Sequence, residues 1–116
     1  MEDKLVSLET AKLAKKKEFN EICQYYYEIL DKPITLQKMS CSNAEGYKQP
    51  TAPTQSLLQK WLREKHNIHL IAYKNINIDG YDWCYITTDG ITNINSYKTY
   101  EETLEVALQE ALKLIK

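Results

Sequence analysis

The chain has 116 residues, of which 43% are hydrophobic and 27% charged, and its formal net charge is −1. These proportions are typical of one globular domain and exclude an intrinsically disordered chain. The small net charge also excludes a global field that would attract nucleic acid or anionic lipid. No apolar run approaches a membrane-spanning length and the N-terminus does not resemble a signal peptide, so we expect a cytoplasmic protein that does not bind membranes.

The first predicted helix covers residues 7–18. Ser7 is a suitable N-cap, and lysines crowd the end of this helix, where cations suit the helix dipole. Residues 19–27 are rich in apolar and aromatic side chains and predict a strand. Residues 28–53 hold all three prolines and a polar run, and they predict a long loop in which residues 34–36 form at most one short extended piece.

A second helix is predicted at 55–66, where apolar side chains recur on one side, and Asn67 is its predicted stop. Strands follow at 68–73, 83–88 and 91–95, because β-rich runs are separated by the turn dipeptides Asp-Gly at 79–80 and 89–90.

The third predicted helix covers residues 100–115. Thr99 and Glu102 form a capping box at its start, and Leu and Ala recur at helical spacing behind them. The sequence therefore predicts a single α+β domain over 1–116, in the order α-β-α-β-β-(β)-α. A small antiparallel sheet of two to four strands would carry about three helices.

Few residues offer chemistry, and each has a simpler explanation. The two histidines, His66 and His69, are predicted on different elements and lack further ligands for zinc. The three cysteines (Cys23, Cys41 and Cys84) are widely spaced, which predicts free buried thiols. The aspartates at the predicted hairpins (Asp79, Asp82 and Asp89) suit turn chemistry. We therefore predict no catalytic residue, no metal site and no cofactor.

Basic side chains collect in the first half of the chain, where residues 1–69 carry a net +2 and residues 70–116 a net −3. The candidate contacts to an anion are Lys15, Lys16, Lys17, Lys60 and Arg63. Because the predicted sheet lies in the acidic half, nucleic-acid binding is an alternative and not the favoured function.

Aromatic side chains are the unusual part of the composition, with nine Tyr and two Trp but one Phe. In a strand, neighbouring side chains point to opposite faces, so the Tyr25-Tyr26-Tyr27 run must place at least one ring at the surface or at an interface. Ordinary sheet packing is the competing interpretation. The candidate interface residues are Tyr25, Tyr26, Tyr27, Trp83 and Tyr85.

Three stretches together resemble a group of small uncharacterised phage and prophage proteins: VSLETAKLAK at 6–15, PTQSLLQKWLREKH at 53–66, and the closing segment 96–115 with its YEE start. The resemblance covers about half the chain, and the group typically has Gly where this chain has Glu18. It implies an origin on a mobile element in a bacterial cytoplasm, and it implies no activity, cofactor or site residue.

The leading hypothesis is a non-enzymatic phage or prophage accessory protein that binds another protein, with self-association as the first case. Nucleic-acid binding through Lys15–Lys17 and the helix at 55–66 is the second hypothesis. A small enzyme without a recognisable motif is the third, and it would need a deep cleft at Cys41, His69 or the aspartates.

Overall fold

The structure is a computed structural model that describes residues 4–29, 34–43, 49–77, 79–97 and 99–115. Its helices and strands are, in chain order, α1 (Leu8–Lys16), β1 (Cys23–Glu28), β2 (Thr35–Cys41), α2 (Gln55–His66), β3 (His69–Asn75), β4 (Gly80–Thr87), β5 (Gly90–Tyr97) and α3 (Tyr100–Leu114). None of the helices in these ranges has the length and apolar character needed to span a bilayer.

The predicted α+β class with antiparallel strands is confirmed. The order is α-β-β-α-β-β-β-α, which adds β2 to the predicted order, and the strands form two sheets, β1-β2 and β3-β4-β5. The chain divides into two compact units, Met1–Thr54 and Gln55–Lys116.

Helix α1 in the first unit begins and ends with recognisable caps. The Ser7 hydroxyl accepts a hydrogen bond from the Thr10 backbone N–H at 3.3 Å, which confirms the predicted N-cap. At the other end, Glu18 has a left-handed φ of 66°. Its N–H donates to the Lys15 carbonyl, and the next N–H, that of Phe19, donates to Ala14. This is a Schellman motif, whose left-handed position favours glycine.

The sheet of the first unit pairs β1 with β2, and residues 50–52 cover the other edge of β1. The Tyr27 N–H donates to the Pro50 carbonyl at 3.0 Å, and the Ala52 N–H donates to the Tyr25 carbonyl at 2.8 Å. The predicted short extended piece at 34–36 overlaps the start of β2, and the prediction of a loop is wrong over residues 37–41. Residues 35–40 of β2 are all exposed. With no buried face, the strand does not require the regular alternation of apolar and polar residues by which strands are predicted.

In the second unit, α2 has the predicted bounds and ends at Asn67, whose left-handed φ of 54° confirms the predicted stop. Strands β3, β4 and β5 form an antiparallel meander joined by the two predicted turns. Gly90 has a φ of 125°, a conformation that side-chain-bearing residues rarely adopt.

Both helices of the second unit pack with the sheet and with each other. The Thr99 hydroxyl accepts from the Glu102 N–H at 3.1 Å, which confirms the predicted cap of α3. Gln55 is 2% exposed, and its amide donates to the Glu101 carbonyl and the Glu105 carboxylate, both at 3.1 Å. The buried apolar residues of this unit are Leu58, Trp61, Leu62, Ile68, Leu70, Trp83, Cys84, Leu104, Ala107, Leu108, Ala111 and Leu112.

Candidate functional site

The three-stranded sheet presents one face to its helices and leaves apolar side chains on the other. We call this second surface the outer face, and its described apolar residues are Ile71, Tyr73, Cys84, Ile86 and Ile91. They share a face because Ile71 pairs with Cys84, and Ile86 pairs with Ile91. Ile71 is 45% exposed, Tyr73 40% and Ile91 65%. Antiparallel sheets with one packed face usually place polar residues on the other, so this surface departs from the rule.

The inner face holds two of the predicted interface residues. Trp83 has no exposed surface, and its ring stacks on Tyr85 with the centroids 5.9 Å apart. The predicted separation of Trp83 and Tyr85 from Cys84 and Ile86 follows from the strand itself. Because Trp83 lies in the core, it has no exposed surface that a partner could contact.

The tyrosine run lies in β1, and each ring is half-buried within the first unit. The Tyr27 hydroxyl donates a hydrogen bond to the Val6 carbonyl at 2.6 Å, which ties β1 to the segment before α1. Tyr26 contributes to a small pocket with Met39 and Cys41. None of the three rings is fully exposed, so this run does not supply an open aromatic surface.

The basic candidates divide between the two units. Lys15 and Lys16 are in the last turn of α1, and Lys17 is its C-cap. Lys60 and Arg63 are exposed on α2 and lie one turn apart on the same side of that helix. Lys60 and Arg63 therefore form a pair of adjacent exposed cations on α2.

A pocket of about 360 Å³ lies in the second unit, where the ends of α2 and α3 approach the β4–β5 turn. Its polar lining includes His66, Tyr85, Thr87 and Asp89, and Leu114 belongs to its apolar lining. The volume falls within the range of small-molecule sites, although such sites are normally enclosed and this one opens widely to solvent.

The titratable candidates have local structural partners. The His66 ring packs edge-on against Trp61 with the centroids 4.7 Å apart, and His69 contacts the Asn67 side chain at 3.0 Å. Asp79 pairs with Lys74 at 3.4 Å on the surface. Within the described ranges, no three His, Cys, Asp or Glu side chains come together in a group that could hold a metal ion.

The three cysteines are free and buried. Cys23 and Cys41 are direct partners in the β1–β2 register, an arrangement that the sequence did not suggest because it requires β2. Burial raises the pKa of Cys23, and burial also raises the pKa of Cys84 on the outer face. The raised pKa disfavours the thiolate, which is the nucleophilic form.

Sequence reasoning missed the outer face, although a signal for it was present. Strand β3 alternates Leu70 with Ile71 and Ala72 with Tyr73, so both of its faces are apolar. This pattern predicts a strand with two apolar faces, but it does not say that helices cover only one of them.

Comparisons of the chain with protein-family models, with curated proteins and with solved structures gave no match. The fold defines the chain as an α+β protein with apolar side chains on the outer face of its three-stranded sheet. The resemblance to phage and prophage proteins stays a prediction.

Proposed function

We propose that the chain is a non-enzymatic protein-binding module whose outer face associates with a second copy of the chain. The observation that supports this proposal is the exposure of Ile71, Tyr73 and Ile91, which lie on the face opposite the buried Leu70 and Trp83. Burying apolar surface of this kind stabilises an association by about 25 cal/mol per Å² before the costs of association are subtracted.

The dimensions of the outer face predict a weak association. Three strands about 4.8 Å apart and seven residues long cover roughly 15 Å by 23 Å, or about 350 Å². A standard interface buries about 800 Å² on each partner. Two outer faces packed against each other about a two-fold axis therefore give a dimer that forms at high protein concentration and dissociates on dilution.

Sedimentation velocity over a wide concentration series tests the proposal. We expect Ile71→Glu and Ile91→Glu to abolish the dimer, because each variant places a carboxylate within an apolar contact. Ile76→Glu is the matched control, since Ile76 is 92% exposed in the β3–β4 turn and is not on the outer face. A wild-type chain that stays monomeric at every concentration would refute self-association, and so would loss of the dimer in the Ile76 variant.

We further propose, from the resemblance at 6–15, 53–66 and 96–115, that the protein serves a phage or an integrated element in a bacterial cell. Genes of such elements cluster by task, so the neighbouring genes test this origin. A gene surrounded only by housekeeping genes, in every genome that carries it, would count against the proposal.

Nucleic-acid binding is a second candidate, supported by the exposed Lys60 and Arg63 on α2. This function predicts a gel shift at low salt and an affinity for nucleic acid that falls steeply as the salt concentration rises. The gel shift should be lost in a Lys60→Glu, Arg63→Glu double variant. The absence of any shift with duplex or single-stranded probes would exclude this function.

The third candidate, a small enzyme, has support from the pocket that holds His66 and Asp89. A histidine and a carboxylate in one pocket are the side chains used in general acid–base chemistry. Screening a fragment library by NMR tests whether the pocket binds small molecules. Chemical-shift changes confined to the Tyr85–Ile91 segment would support this candidate, and the absence of any chemical-shift change would exclude it.

A further inference from the structure

Two of the three cysteines face each other across the sheet of the first unit. Cys23 of β1 and Cys41 of β2 are directly opposed in the antiparallel register, and both are 3% exposed. Directly opposed residues of an antiparallel pair have Cα atoms about 4.5 to 5.5 Å apart and side chains on the same face. The register is irregular between Cys23 and Tyr25, next to this pair. Disulfides bridge Cα separations of about 4.4 to 6.8 Å, so pairing of the two residues across the strands is compatible with a disulfide.

Both thiols donate hydrogen bonds to nearby backbone carbonyls. The Cys23 Sγ donates to the Glu21 carbonyl and the Cys41 Sγ donates to the Tyr25 carbonyl, each at 3.6 Å. Hydrogen bonds from a thiol are weak. Forming a disulfide replaces these two weak hydrogen bonds.

A small pocket lies next to Cys41. This pocket has a volume of about 40 Å³ and is lined by Cys41, Tyr26, Met39 and Thr51, among others. A cavity needs about 10 to 15 Å³ to hold one water molecule, so the pocket has room for a molecule as small as hydrogen peroxide.

We propose that Cys23 and Cys41 form a peroxide-sensitive dithiol that is oxidised to an intrachain disulfide. The Cys41 sulfur attacks one peroxide oxygen, the O–O bond breaks, and Cys41 becomes a sulfenic acid with release of one water. The Cys23 sulfur then attacks the Cys41 sulfur, the S–O bond breaks, and the hydroxyl leaves with the Cys23 proton as a second water. Both sulfurs are oxidised and the peroxide is reduced to two waters.

The order of the two steps follows from the surroundings of each sulfur. Cys41 lines the pocket through which peroxide enters. Cys23 does not line this pocket, and burial raises its pKa, which disfavours its thiolate, although a hydrogen bond with Thr51 acts in the opposite direction. It acts as the resolving thiol, for which proximity matters more than thiolate content.

Peptide mapping of the full chain tests the proposal. The reduced protein is treated with hydrogen peroxide, blocked with iodoacetamide in denaturant and digested with trypsin without reductant. Cleavage after Lys38 separates Cys23 from Cys41, because the first lies in peptide 18–38 and the second in 39–48. We expect these two peptides to be joined by one disulfide while Cys84 is alkylated.

Three variants and a thermal scan complete the test. Cys84→Ser should oxidise as the wild type does. Cys23→Ser should accumulate a Cys41 sulfenic acid, which dimedone traps when it is added together with denaturant because Cys41 is buried in the folded chain. Cys41→Ser should leave Cys23 reduced. The disulfide closes a loop of about 20 residues, so oxidation should raise the melting temperature by roughly 10 °C or more, reversibly with reductant. Full alkylation of all three cysteines after peroxide, oxidation confined to Cys84, or linkage only between chains would each overturn the proposal.

Discussion

The amide of Gln55 joins the starts of α2 and α3, and its replacement gives the sharpest test of how the second unit is stabilised. Gln55 is 2% exposed and donates to the Glu101 carbonyl and the Glu105 carboxylate, both at 3.1 Å. Gln55→Met keeps the size of the side chain and removes both donors. Gln55→Glu also keeps the size but places a second carboxylate beside Glu105.

The two variants should differ in magnitude and in pH dependence. A hydrogen bond to a neutral group contributes about 1 kcal/mol and one to a charged group about 1.5 to 3 kcal/mol. Glu105 is only half-buried, and water replaces part of the lost bond, so we expect Gln55→Met to cost about 2 kcal/mol. Two carboxylates about 4 Å apart at an effective dielectric constant of 20 repel by about 4 kcal/mol, so Gln55→Glu should cost about twice as much at pH 7.

Acid should restore part of the stability of Gln55→Glu. Burial and the Glu105 charge raise the folded-state pKa of the introduced carboxylate, so its stability contribution is present below the unfolded pKa of about 4.3 and is lost as pH rises. Urea unfolding followed by tryptophan fluorescence measures this, because Trp61 and Trp83 lie in the same unit as Gln55.

The control for the added charge is Ser56→Glu. Ser56 is the next residue of α2 and is exposed, so a carboxylate there should change stability by less than about 0.5 kcal/mol. The reasoning is refuted if Gln55→Glu is no less stable than Gln55→Met at pH 7, or if its deficit relative to the wild type is the same at pH 4 and pH 7.

Three further predictions concern caps and a buried thiol. Glu18→Gly should be more stable than Glu18→Ala by about 1 kcal/mol in urea unfolding, because residue 18 is left-handed; the reverse order would show an ordinary helical residue. Thr99→Ala should lower stability by about 1 kcal/mol, while Thr99→Ser should retain most of it, and equal losses would contradict the cap. Burial raises the pKa of Cys23 above its ordinary value of 9.0, so the stability that the buried thiol contributes is full below pH 9.0 and is lost as pH rises. The free energy of unfolding of the wild type should therefore fall relative to that of Cys23→Ala between pH 7 and pH 10. A difference between the two that stays constant over this range would contradict the prediction.

Local signals in the sequence predicted the helices and turns well. Helix α2 has the predicted bounds, and Ser7 and Thr99 cap their helices as predicted. These features depend on residues within four or five positions of each other, so a pattern can show them.

Strand β2 could not be predicted for a physical reason. Six of its seven residues are exposed, so no burial periodicity marks it, and prolines on both sides favour a loop. The strand is specified by its pairing with β1, which is a non-local contact. The opposed cysteines, Cys23 and Cys41, were missed for the same reason, since they face each other only once β2 is in register.

Sequence periodicity shows which residues of β4 share a face, but the packing of the helices decides which face is buried. The alternation in β4 places Trp83 and Tyr85 on one face and Cys84 and Ile86 on the other, but both sets are apolar, so the sequence cannot choose the core. The packing of the helices determines which face becomes the core. Two helices, each about 10 Å wide, cover a three-stranded sheet about 15 Å across on one face, and the described part of the second unit has no third helix. Since Trp83 is the larger side chain, burying it on the inner face removes more apolar area from water. The smaller Ile71, Ile86 and Ile91 lie on the outer face, where the proposed association would bury them.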